Sequence, residues 1–245
     1  MSVLISTGQL EQELRDNPAL KILDATAYLP TEAADAQALF CKQHIPGARF
    51  FDIEAFSDPD SDLPHMLSTA GRFGRLVGAF GISNDADIVV YDQKGLFSAA
   101  RVWWTFGVFG HDRIRVLDGG LPKWVAEQRP VEAGDGAVWT PLTFRAGLRS
   151  DRVKGVDDVA AASASRSALI LDARSEERFT GNAAEPRAGL RSGHIPGSRS
   201  LPFGRLLNED KTLKPAADIR QIAAAAGYAE GTPVITSCGS GMTAA

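Results

Sequence analysis

His194-Ile195-Pro196-Gly197-Ser198-Arg199 repeats, with one change, His44-Ile45-Pro46-Gly47-Ala48-Arg49. Working outward from these two turns, Ile170-Leu171-Asp172-Ala173 matches Ile22-Leu23-Asp24-Ala25, and Val234-Ile235-Thr236-Ser237-Cys238 matches Ile88-Val89-Val90-Tyr91-Asp92. The three pairs are offset by 150, 148 and 146 residues. So constant an offset marks a duplicated domain, because solenoid repeats recur every 20 to 50 residues or so. Two domains also suit a chain of 245 residues.

A duplicated scaffold separates fold from function. Features present twice belong to the fold, and this assigns Asp24, Asp172, His44 and His194 to structure, the histidines as turn residues held by a local hydrogen bond. Features present once are candidates for chemistry. Cys238 is one of these, since its counterpart is Asp92. It ends an apolar strand-like run and opens the loop Gly239-Ser240-Gly241-Met242-Thr243. Consecutive amides with little side-chain bulk can converge on one anion, and such surroundings lower a thiol's pKa. A free cysteine is more commonly a small buried hydrophobe, and it is the difference between the two copies that favours a working thiol. A site built once from two halves is expected where they face each other.

Strand-like and helical runs alternate through both halves. Ser6 or Thr7 caps a helix to about residue 16, Ser68 or Thr69 one to about residue 80, and further helices fall near 99–109, 121–128, 156–164 and 216–226. Strands are expected at 19–23, 87–91, 114–117, 168–171 and 233–236. Short, wholly apolar strands imply burial on both faces, hence an α/β fold in which each domain is a mainly parallel sheet flanked by helices on both faces. The organisation reads as a first domain over 1–130, a Gly- and Pro-containing linker over 131–151 and a second domain over 152–245. By the repeat, the second domain lacks counterparts of 101–128 and is expected to be incomplete at its C-terminal end. A helix beginning near Thr243 would aim its N-terminal dipole at the cysteine loop.

Composition bounds the partners. The chain is 44% hydrophobic and 23% charged, with a formal net charge of -4. Scattered basic residues and an acidic balance argue against nonspecific nucleic-acid binding, and no apolar run is long enough for a membrane helix. The start, Met1-Ser2-Val3-Leu4-Ile5-Ser6, does not read as a secretory signal. Two distant cysteines, Cys41 and Cys238, suit a reducing compartment, and a cytoplasmic location is expected. Cys41 reads as an incidental free thiol.

Together with the duplicated turns, Phe50-Phe51-Asp52-Ile53-Glu54, Pro64-His65-Met66-Leu67, Arg101-Val102-Trp103-Trp104, Leu117-Asp118-Gly119-Gly120 and the cysteine loop resemble the two-domain sulfurtransferases of the rhodanese superfamily, the 3-mercaptopyruvate sulfurtransferases above all. The resemblance implies two tandem rhodanese-like domains, of which the first, with Asp92 at the cysteine position, is inactive. It implies that Cys238 becomes a persulfide and that Arg178 and Arg187 hold the substrate's carboxylate and ketone. A guanidinium fork suits a planar anionic oxygen pair. It further implies a proton relay of Ser240, His65 and Glu54, the last often Asp in relatives, and substrate contacts from Gly239, Gly241, Met242 and Thr243. No metal or organic cofactor is required. The partners implied are 3-mercaptopyruvate and a thiol acceptor such as thioredoxin or glutathione.

Three other readings compete. Thiosulfate sulfurtransferases share the nucleophile but carry basic residues in the loop, where this chain has the small neutral Gly239 and Ser240; thiosulfate is expected to be a weak substrate. A cysteine phosphatase needs an arginine six positions after its cysteine, and Ala244 stands there. A noncatalytic persulfide carrier would form the persulfide but turn over slowly.

Overall fold

The computed structural model describes residues 2–187 and 189–245. The first half runs β1 (Leu4–Ile5), α1 (Thr7–Asp16), β2 (Lys21–Asp24), α2 (Ala36–Lys42), β3 (Ala48–Phe50), α3 (Ile53–Phe56), α4 (Ala70–Ala79), β4 (Ile88–Tyr91), α5 (Ala99–Val108), β5 (Ile114–Leu117) and α6 (Gly120–Ala126). The second runs α7 (Val156–Ser165), β6 (Leu169–Asp172), α8 (Glu176–Thr180), β7 (Arg199–Ser200), α9 (Ala216–Ala225) and β8 (Val234–Ser237). The caps explain several boundaries. Ser6 and Gln9 form a reciprocal capping box at the start of α1, and the Thr69 hydroxyl accepts from Arg72 N at 3.3 Å at the start of α4.

Five parallel strands form the first sheet in the order β1-β5-β4-β2-β3, and three form the second, β7-β6-β8. The pairings repeat: β2 lies between β3 and β4 as β6 lies between β7 and β8. Side chains alternate across the first sheet. Leu23, Ile88, Val90 and Val116 pack beneath α4 and α5 with Phe73, Val77 and Phe106, while Ile22, Val89, Tyr91 and Leu117 pack on the opposite face with Leu10, Phe40 and Trp124. All four β4 residues are therefore buried, which is why that strand reads as an unbroken apolar run. Among the described residues no helix follows β8; where one was expected at Thr243 the chain forms turns.

The His-Ile-Pro-Gly turns do the same work in both halves. Ala48 N donates to Ile45 O at 3.0 Å and Ser198 N to Ile195 O at 3.0 Å, with Gly47 and Gly197 at φ of 73° and 78°. Proline then glycine with positive φ is the requirement of a type II turn. His44 Nδ1 lies 2.9 Å from Phe40 O and stacks on that ring; His194 Nδ1 lies 2.8 Å from Phe179 O and stacks likewise. Both histidines are structural, as the repeat indicated.

The segment after α6 is not a loose tether. Phe144 is buried in the first-domain core, and Leu142 N, Gly147 N and Arg149 N donate to Gly78, Phe109 and Val108 carbonyls at 2.8, 3.0 and 2.8 Å. Gly78 is required here, since a Cβ would come within 2.6 Å of Leu142 O.

Candidate active site

Strand β8 delivers Cys238 to the line where the halves meet. Gly241 N lies 3.1 Å from the sulfur and donates to it. Burial alone would raise the thiol's pKa; the amides of Ser240, Thr243 and Ala244 and the Thr243 hydroxyl reverse that, leaving it below the usual thiol value. The first copy shows the same cradle already filled. There the Asp92 carboxylate accepts from Lys94 N at 3.0 Å, Phe97 N at 2.8 Å, Ser98 N at 2.9 Å and Ala99 N at 2.9 Å. A nest that satisfies a carboxylate in one half stabilises a thiolate in the other. Gly241, at φ 73°, corresponds to Gly95, at φ 79°.

A cavity of about 260 Å³ opens beside the sulfur, lined by Arg178, Arg187, Gly239 and Ser240 from the second half and by Leu29 and Phe97 from the first. It thus lies between the domains. Glu185, on the same wall, receives Arg178 through Nη2 at 2.5 Å and Nε at 3.3 Å, and receives Arg174 Nη1 at 2.7 Å. Arg174 is fixed in turn by Asp172 at 2.6 Å and by Gly193 O at 2.7 Å. Arg178 lies so close over Gly239 that a Cβ there would collide with its Nη2. A side chain at that position would displace the guanidinium from its present place.

His65 approaches from the first half. Its Nε2 lies 3.4 Å from Arg187 Nη2, and Glu54 Oε1 lies 2.6 Å from its Nδ1, out of line for a hydrogen bond. Burial, with the nearby charges of Arg187 and Arg101, pulls its pKa down to about 4, so the ring is neutral near pH 7. Glu54 is pushed the other way, above the usual carboxylate value, by burial and by Asp52. The structure therefore brings His65 and Glu54 together and joins them to Arg187, but Ser240 contributes its backbone amide, and its hydroxyl makes no hydrogen bond among the described residues.

Met242 and Thr243 both line this cavity, and each has a further role. Met242 is 4% exposed and belongs to the first-domain core, anchoring the loop across the interface. Thr243 turns its hydroxyl to the sulfur. Conversely, Arg101, Arg174 and Glu185 were not singled out from the sequence. Arg101, buried and stacked 4.6 Å from the Trp104 ring centre, donates to Gly241 O at 3.3 Å and to His65 O, tying the two loops together. His65 has φ 55°, an unusual conformation for a residue with a side chain, and Arg101 holds its carbonyl. The repeat did contain a signal for Arg174, because Thr26 stands at its position in the other copy.

Two parallel α/β domains sharing a single thiolate nest define a tandem-domain enzyme that works through a cysteine. The rhodanese-like domain family matches residues 6–127 and 155–245, and the chain belongs to that family. Thiosulfate/3-mercaptopyruvate sulfurtransferase 1, mitochondrial, of Arabidopsis thaliana is 41% identical over 261 residues, covering 98% of this chain and 69% of its own length. The 3-mercaptopyruvate sulfurtransferase of Homo sapiens is 38% identical over 246 residues, covering 98% of this chain and 82% of its own. Among solved structures, the 3-mercaptopyruvate sulfotransferase SseA of Escherichia coli matches with a TM-score of 0.89 at 36% identity, over 100% of this chain and 91% of that one.

Proposed function

We propose that this enzyme takes sulfur from 3-mercaptopyruvate onto Cys238 and passes it to a thiol, releasing pyruvate. The observation that carries the reading is the junction of one lowered-pKa thiol with Arg178 and Arg187 in a single cavity whose loop side, Gly239 and Ser240, is neutral and small. An α-keto acid supplies the anion for those arginines, and its sulfur then lies against the nucleophile.

In the first half-reaction the Cys238 thiolate attacks the substrate sulfur. A sulfur–sulfur bond forms, the carbon–sulfur bond breaks, and the electron pair leaves with carbon as the enolate of pyruvate. The proton carried by the substrate thiol leaves the persulfide, and one proton is taken up at the enolate carbon. The loop amides hold the sulfur anion before and after, and the arginines make the step effectively unimolecular. In the second, an acceptor thiolate removes the outer sulfur and returns Cys238 as thiolate. Thioredoxin and glutathione are the acceptors we favour, in a reducing compartment such as the cytoplasm.

Neutral His65 cannot neutralise the substrate carboxylate as a cation. Its Nε2 can accept a proton or a hydrogen bond, and here it faces Arg187. Thiosulfate is the second reading, favoured by the double name of the Arabidopsis relative, and we expect it to be the poorer donor.

Intact mass spectrometry before and after 3-mercaptopyruvate, with Cys238→Ser alongside, tests the reading. A gain of one sulfur atom, reversed by a thiol and absent from the variant, is expected. A folded chain that gains none would overturn it.

A further inference from the structure

Among the described residues Glu185 is the one carboxylate on the wall of the substrate cavity, and its side chain is only 4% exposed. Burial works against its charge, but the two arginines that hold it more than reverse this, so it is ionised at neutral pH. It occupies the Nε–Nη2 edge of Arg178, the edge a substrate carboxylate would otherwise grip bidentately, and leaves Nη1 free of it. Glu185 therefore both aims Arg178 and cancels a positive charge.

Within the network of ion pairs on this wall the charges balance, while Asp151, Arg152, Lys154 and Arg191 line the other openings beside the sulfur. Arg101, Arg174, Arg178 and Arg187 face Asp172, Glu185, Glu54 and the Cys238 thiolate, while His65 is neutral. A singly charged ligand adds one uncompensated charge to this cluster and a doubly charged ligand adds two. The cavity lies between the domains and its walls exclude part of the solvent, so the excess is screened incompletely.

We propose that Glu185 is a specificity-determining residue that sets the cavity for singly charged α-keto carboxylates and against the thiosulfate dianion. This rests on the sulfurtransferase reading and goes beyond it, because it moves the choice of donor from the cysteine loop to a carboxylate outside it. Gly239 and Ser240 merely withhold positive charge; Glu185 removes it. With Arg174 already neutralised by Asp172, the glutamate's charge falls on the substrate arginine.

The test uses ligands that bind without reacting. Alkylation of Cys238 by neutral iodoacetamide, read on the cysteine-loop peptide by mass spectrometry, is measured against rising pyruvate, a monoanion, or sulfate, a dianion. In the wild type pyruvate should protect at lower concentration than sulfate. Glu185→Gln, which keeps the shape and loses the charge, should shift the ratio of the two protecting concentrations about tenfold toward sulfate. Glu185→Asp, which keeps the charge, should hold the ratio within about threefold of the wild type. Arg174→Met, which leaves the glutamate less compensated, should shift it in the opposite direction and serves if the Gln variant does not fold. An unchanged ratio in Glu185→Gln, or equal shifts in the Gln and Asp variants, would overturn the proposal. Persulfide formation by the wild type is measured in parallel: its failure would count against the sulfurtransferase reading, while the protection ratios would still decide the role of Glu185.

Discussion

The Asp92 carboxylate and the Cys238 sulfur occupy equivalent points in two loops of one chain, each received by the amides two, five and six residues further on. One loop carries a fixed anion and the other a reactive one. The first domain has kept the cradle and filled it permanently, which makes Asp92 a structural strut.

Asp92→Asn should accordingly weaken the fold. Its Oδ2 accepts three amide N–H groups and its Oδ1 one, and an amide NH₂ facing those donors would lose at least one charge-assisted bond. A loss of about 2–4 kcal/mol is expected in urea denaturation. An unchanged midpoint would show that the cradle is not a source of stability.

Arg101→Met should leave Cys238 alkylatable yet lower kcat by about a hundredfold or more, because the loop carrying the sulfur and the loop carrying His65 lose their shared donor. Arg101→Lys should rescue little, since one ammonium does not reproduce a planar fork reaching two carbonyls. Recovery of kcat in the lysine variant would show that charge alone matters there.

Met242→Ala removes the side chain by which the cysteine loop enters the first domain's core. A destabilisation of about 2–5 kcal/mol is expected. Because the contact spans the interface, calorimetry should show the unfolding of the two halves separating. A single unshifted transition would count against that anchor.

Acid should loosen the protein through His65. Its pKa is lowered from 6.5 to about 4 in the folded chain, so between those values the unfolded chain binds more protons and stability rises with pH. Acidification from pH 7 to pH 4 should cost the wild type up to about 3 kcal/mol more than it costs His65→Asn. Parallel stability–pH curves for the two proteins would refute the assignment. For the same reason the rate of persulfide formation should show no step from His65 near pH 6.5 and should instead follow the ionisation of Cys238, whose pKa lies below that of a free thiol.

What could be read in advance was whatever local chemistry imposes. Helix α1 announces itself through Ser6 and Gln9, α4 through Thr69, and the central strands β2 and β4 through runs that are apolar because both faces are covered. Strands β3 and β7, three and two residues long, carry no pattern of their own and form because the preceding turn lays them along β2 and β6. Cys238 and its nest were readable because the copies differ there. Arg101 and Glu185 were not, because their roles depend on partners brought near by the packing of the halves: Arg101 reaches a carbonyl 140 residues away. Ser240 shows the converse, a residue whose type invited a side-chain role while the structure uses its amide.

The guanidinium of Arg101 grips one carbonyl from each half, and this has a consequence for how the chain can change over generations. Neither copy is free to drift alone. A substitution near His65 is exposed to selection through its effect on a cysteine loop encoded in the other half, and a substitution near Cys238 is judged by its fit to a domain that carries aspartate at the matching position. Duplication supplied a spare copy, and the interface turned it into an obligate inheritance.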